Sequence, residues 1–219
     1  MTPLEALAQL QRLLQSVNGL EETESVADFL VDDPTGWAAN ASPNEALLVS
    51  EQGDELRVGL FLDEEVLAQL VRGAGEPWTH ARLSGFCAAT EGVSHFLYLL
   101  HRARARRPVS QLELEAQAEL DKYLSVLLQL WAVGRREASA QLRHRLFERV
   151  SLRPGLMRAE RERYRLASAL AAACAKALET RYVVPGRLEG LLREVRRLYR
   201  LGGGEKLSAF AQGQVAWAA

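Results

Sequence analysis

A glutamate and a histidine one helical turn apart, Glu91 and His95, are the residues of this chain whose types and spacing most directly suggest chemistry. Positions i and i+4 share a helix face, so both side chains can reach one metal ion. Glu115 and Glu119 repeat that spacing in the next helical segment. If the two helices pack antiparallel, Glu91, His95, Glu115 and Glu119 converge. No motif names a cofactor, but this carboxylate and imidazole set would take a divalent metal. Such an ion would activate a bound water for hydrolysis or redox chemistry.

Inward-facing carboxylates and histidines in a helix bundle are how di-iron carboxylate proteins are built. The spacing here departs from that pattern, which uses Glu-x-x-His on each of two helices. This chain has one Glu-x-x-x-His, no HExxH, and no cysteine pair at zinc-ligand spacing. The plain alternative is an ion-pair face, with Glu91 beside His95 and Glu119 beside Lys122 or an arginine.

Other chemistries fit less well. Cys87 and His95 lie on one helix stripe with Glu91, Ser94, Tyr98 and Arg102. They are two turns apart, about 12 Å along the axis, too far for a base to hold a thiolate. Cys174 sits in an alanine-rich helix as a core thiol. Gly202-Gly203-Gly204-Glu205-Lys206 follows a helix instead of a strand, and no Ser or Thr follows its lysine, so it reads as a helix stop and not a phosphate loop.

Charge separates along the chain. Residues 1–80 carry 15 acidic and 3 basic residues, a net of −12; residues 81–219 carry 13 acidic and 24 basic, a net of +11. The basic side chains form stripes: Arg158, Arg161 and Arg165 on one helix, Arg193, Arg196, Arg197 and Arg200 on the last long one. Stripes of this kind can neutralise phosphates. No helix-turn-helix, zinc-finger or RNA-binding signature accompanies them, and aromatics are sparse. A landing site for the acidic region explains them equally well.

The elements that must position these groups follow from periodicity. Leucines at helical spacing predict a helix over 3–18, with Thr2 as cap and Asn18-Gly19 as stop. Turn signals at 33–36 and 42–44 break the next stretch. Glu45–Ser50 and Glu55–Leu62 read as a hairpin around Gly53-Asp54, and Asp63 caps a short helix to Val71. After a turn at Gly73–Pro77, helices are expected near 81–105, 110–133, 136–150, 156–181 and 186–201. Their breaks fall at Pro108, Gly134, Arg153-Pro154-Gly155, Pro185-Gly186 and Gly202–Gly204. The segment 110–133 is apolar nearly all round, as a central helix should be. A tail through Phe210 and Trp217 follows.

The expected architecture is α+β and predominantly α. An acidic helix-plus-hairpin region (1–76) packs on a basic bundle of about five helices (77–219). No secretory start and no membrane span are expected, and two cysteines read as reduced thiols in a bacterial cytoplasm. The charge split and the lack of a catalytic motif favour an interaction or regulatory protein without catalysis of its own. Its partner would be another protein or a second copy of itself. The alternative is a metal-dependent enzyme or metal-binding helical protein using Glu91, His95, Glu115 and Glu119; a second is a nucleic-acid-binding protein using the arginine stripes.

Overall fold

A computed structural model describes residues 1–21, 24–35, 37, 44–52, 55–71, 77–148 and 155–213. The expected turn residues Gly36, Ser42-Pro43, Gly53-Asp54, 73–76 and Arg153-Pro154, and the tail residue Trp217, lie outside them.

Helix α1 (Pro3–Asn18) forms where leucines repeat at helical spacing, and Leu7, Leu10 and Leu14 are buried. Its start is a reciprocal cap: the Glu5 N–H donates to Thr2 Oγ1 at 3.2 Å, and the Thr2 N–H donates to the Glu5 carboxylate at 2.7 Å. Gly19, at φ +67, ends it in the left-handed conformation that glycine adopts without strain.

Strands β1 (Glu45–Gln52) and β2 (Glu55–Leu62) pair antiparallel with Glu45 opposite Leu62, Leu47 opposite Leu60 and Val49 opposite Val58. Side chains alternate along a strand, so these six share one face. Leu60 and Leu62 are buried there. Helix α2 (Glu64–Leu70) follows, its Asp63 cap accepting from the Glu65 N–H at 2.9 Å.

Helices α3 (His80–Arg104) and α4 (Gln111–Ala132) are the long pair that carries the candidate site. Ser94 meets Asp121 and Tyr98 meets Glu113, so residue numbers run in opposite directions and the pair is antiparallel. The segment that is apolar nearly all round, α4, is central and touches α1, α3, α5 (Ser139–Arg143), α6 (Arg158–Leu178) and α8 (Gly203–Ala211). The helix expected over 136–150 is divided into a 3-10 turn (Arg136–Ala138), α5 and a π-helical turn (His144–Glu148). The one expected to reach 181 becomes π-helical at Glu179–Val183. An ion pair joins these two irregular places, with Arg143 Nε 3.1 Å from Glu179 Oε2.

The fold is α+β and predominantly α. Leu7, Leu10, Leu60 and Leu62 share one core with Val93, Phe96, Leu120 and Leu124, so the core draws on both sides of residue 76. Fully burying each such side chain is worth about 1.5–3 kcal/mol.

The glycine run stops α7 (Leu188–Arg200), as expected, and a further short helix that was not expected, α8, begins at Gly203. The Gly203 N–H donates to the Glu113 carboxylate at 2.7 Å, which supplies the anion a helix start favours. Lys206, Ala209 and Phe210 then bury against the bundle. Lys206 is fully buried, its Nζ 4.0 Å from the Tyr98 ring centre and 5.1 Å from that of Tyr199. Nearby Asp121 is buried too, and accepts from Ser94 Oγ at 2.6 Å, Gln117 Nε2 at 2.9 Å and Asn18 Nδ2 at 3.1 Å. That network ties α1, α3 and α4 together.

Candidate metal centre

The polar stripe of α3 is turned inward, and its members part company. Ser94 goes to Asp121. Tyr98 donates to the Leu201 carbonyl at 3.2 Å, and Arg102 donates to the Pro108 carbonyl at 2.9 Å. Glu91 and His95 face α4 and the hairpin instead.

There Glu91, His95 and Glu115 come together: one ligand atom from each lies within 4.8 Å of the others. His95 is only 8% exposed, and its Nε2 is buried without a hydrogen-bond partner. Glu115 Oε2 stands 3.7 Å from that nitrogen, beyond hydrogen-bond reach. The ring's other nitrogen, Nδ1, faces Glu45 Oε1 at 3.4 Å. Glu119 does not join the three. Its Oε1 is held at 2.7 Å by Lys122 Nζ, which also holds Glu91 Oε2 at 2.6 Å. The ion pair expected between Glu119 and Lys122 is therefore present, and Lys122 bridges the helices.

Each of the three converging side chains also has a further charged group beside it: Glu45 for His95, Lys122 for Glu91, and Arg163, with Nε 3.9 Å from Glu115 Oε1, for Glu115.

Proximity of the hairpin to α3 depends on Gly92. A Cβ there would lie 2.9 Å from Leu60 Cδ1 and 3.0 Å from Glu45 Cγ. Glycine lets the strands approach closely enough to deliver Glu45.

Charge balance in the cluster is unfavourable. Four carboxylates (Glu45, Glu91, Glu115 and Glu119) meet two fixed cations (Lys122 and Arg163). Burial raises the Glu115 pKa to about 7 against the pull of His95, and burial raises that of Glu45 too. For Glu91 burial also works against the anion, but Lys122 and then His95 outweigh it and hold the pKa low. For His95 burial works against the cation, but Glu45, Glu115 and Glu91 outweigh it and raise the pKa to about 9. The raised values of His95, Glu115 and Glu45 all favour proton uptake by the cluster, and a divalent cation would supply positive charge in its place.

Cys87 is half-buried on the same helix, and burial pushes its thiol up to about 12, which excludes a ready thiolate. Cys174 is buried and likewise pushed to about 12.

The arginine stripes are mostly engaged within the fold. Arg158 pairs with Glu162 at 2.8 Å, and Arg161 donates to the Leu156 carbonyl at 2.9 Å, while Arg165 is exposed. On α7, Arg196 donates to the Ser16 carbonyl at 2.9 Å and Arg200 to the Gly19 carbonyl at 3.4 Å. Both cations therefore sit at the negative end of α1. Arg197 grips Glu194 at 2.8 Å. With Arg193, Glu189 and Leu192 these three line a groove that includes no member of the carboxylate cluster.

Sequence reasoning missed Glu45 and Arg163. Each is distant in the chain from Glu91, and neither belongs to a local spacing. The β-prone run starting at Glu45 was the one available signal, since strand alternation puts Glu45 and Leu47 on the same side.

Comparison of the chain with known protein families, with curated proteins and with solved structures finds no match. Among the described residues, no helix is long and apolar enough to cross a membrane.

Proposed function

We propose that this protein binds one divalent metal ion through Glu91, His95 Nε2 and Glu115, and that the ion keeps a position open to an outside ligand. The observation that carries this is the buried Nε2 of His95, without a hydrogen-bond partner and 3.7 Å from Glu115 Oε2, in a residue whose ligand atom lies within 4.8 Å of those of Glu91 and Glu115. A buried polar atom in that state costs about 1–3 kcal/mol, and a ligand bond would remove the cost. The surplus of carboxyl groups over fixed cations in the cluster supports the same reading. A mixed oxygen and imidazole set suits Zn²⁺, Mn²⁺ or Fe²⁺. Three protein ligands are the number used by catalytic sites, where the remaining position takes water or substrate. A bound ion of this kind supplies Lewis acidity to whatever oxygen occupies that position. The charge split by itself names no surface for a partner, whereas the cluster names its ligands.

The experiment is elemental analysis of protein purified without chelator, followed by calorimetric titration of the chelator-treated protein with Zn²⁺ and Mn²⁺. One ion per chain is expected. His95→Ala should lose the ion while its helical circular dichroism stays unchanged. No binding by the wild-type protein, or full binding by a folded His95→Ala, overturns the reading.

A further inference from the structure

Glu45 reaches the cluster from a different part of the chain than the residues it joins. It opens β1, is 8% exposed, and its Oε1 is buried without a hydrogen-bond partner, facing His95 Nδ1 at 3.4 Å. Its place is fixed by the hairpin's closed base. Glu45 pairs with Leu62, and the Asp63 N–H donates to the Asn44 carbonyl at 3.0 Å. The same sheet face lays Leu60 and Leu62 onto α3 at Gly92.

An imidazole can ligate through one nitrogen only if it keeps its proton on the other. A carboxylate opposite Nδ1 holds that proton and the ring plane, which leaves the Nε2 lone pair toward Glu91 and Glu115. We propose that Glu45 is the positioning residue of the metal site, so that docking of the β1–β2 hairpin and binding of the ion strengthen each other. This rests on the metal reading above. Glu45 touches no ligand position itself and acts only through His95.

Linkage makes the effect reciprocal: whatever factor the docked hairpin adds to metal affinity, the metal adds to hairpin docking. Two readouts follow, both using Zn²⁺ as probe on the full chain. First, Glu45→Ala should weaken Zn²⁺ binding by about 10–100-fold. Glu45→Gln, which keeps an acceptor oxygen, should recover most of that loss. Nitrogen chemical shifts should place the His95 proton on Nδ1 in the Zn²⁺-bound wild type. Second, Zn²⁺ should slow amide exchange across the strands of the wild-type hairpin, a readout that needs no variant to fold.

Zn²⁺ binding by the wild type with equal affinity in Glu45→Ala overturns the positioning role and leaves the metal site standing. So does unchanged hairpin exchange on adding Zn²⁺. Failure of the wild type to bind Zn²⁺ or Mn²⁺ removes the metal site and this role together.

Discussion

Lys206 is the group whose replacement should change stability most instructively. It is fully buried on α8, its amine has no hydrogen-bond partner, and three rings surround it: Tyr98 at 4.0 Å, Tyr199 at 5.1 Å and Phe210 at 5.7 Å. Burial lowers its pKa to about 7; Asp121 on α4, and then Glu113, pull the other way, and Arg102 on α3 adds repulsion. An unfolded lysine titrates near about 10.4. Between those two values the unfolded chain holds a proton that the folded chain lacks, so stability rises with pH; below about 7 both hold it and the slope vanishes. Each unit of that window is worth about 1.4 kcal/mol, so the whole is on the order of 4 kcal/mol. Favourable contact of the ammonium with the rings is worth up to about 2 kcal/mol and would cut this by half. Lys206→Met keeps a long, flexible side chain in the same space and removes the charge. Urea denaturation of both proteins at pH 7, 8, 9 and 10 isolates this group, because every other titrating side chain is shared. The variant should be the more stable at pH 7, and its advantage should shrink by about 2–4 kcal/mol by pH 10. A residual advantage of about 1 kcal/mol should persist, the cost of an unpartnered neutral amine. Parallel curves, with the difference constant to within about 0.5 kcal/mol, would show that the Lys206 amine keeps its ordinary affinity for protons and would refute the argument.

Gly92→Ala should cost about 1–3 kcal/mol in urea denaturation, since its Cβ would meet Leu60 Cδ1 at 2.9 Å and Glu45 Cγ at 3.0 Å; the same variant should bind Zn²⁺ more weakly. Lys122→Met removes the cation shared by Glu91 and Glu119 and leaves two carboxylates facing each other. A loss of about 3 kcal/mol at pH 8, read by the same denaturation, is expected. Arg196→Ala strips the guanidinium from the Ser16 carbonyl and should cost about 1 kcal/mol, with faster amide exchange confined to the last turn of α1.

The sequence exposed what is periodic and local. The leucines of α1 and the reciprocal cap at Thr2 are a pattern of neighbours, as is the Ser110 cap of α4, where the Glu113 N–H meets Ser110 Oγ at 3.2 Å. The i, i+4 spacing of Glu91 and His95 placed both on one face, and antiparallel packing of α3 on α4 brought Glu115 to them. Glu119 shares that spacing with Glu115, yet Lys122, three residues on, turns it aside; spacing ranks positions on a face without saying which neighbour wins the side chain. Glu45 was illegible for a different reason. Its role depends on how closely a hairpin nestles against α3, which is set at a glycine 47 residues away. The three glycines do stop α7, but the start of α8 was illegible, since it depends on the distant Glu113 carboxylate that accepts from the Gly203 N–H.

The division of charge between the two parts of the chain takes on a local meaning in the fold. At physiological salt an exposed charge is screened within about 8 Å, so a net of −12 facing a net of +11 matters only where groups meet. Three of the places among the described residues where the two parts meet show this. Glu24, in the loop after α1, pairs with Arg104 at the end of α3. Glu45 faces His95. The carbonyl end of α1 lies on Arg196 and Arg200 of α7. The first is half-exposed and worth at most about 1 kcal/mol. The third satisfies helix-end carbonyls that packing would otherwise leave unpaired. The second differs in kind. It is buried, it belongs to a cluster with more carboxylates than fixed cations, and the second ring nitrogen of its histidine has no hydrogen-bond partner. A seam built only to hold the acidic region on the bundle has no use for that excess of negative charge. Carboxyl groups buried beyond the number of cations favour taking up protons over staying charged, and a hydrophobic contact would close the same gap at less cost. The cluster therefore stands apart from the other two contacts, and the proposed cation would offset the cost of burying its carboxyl groups.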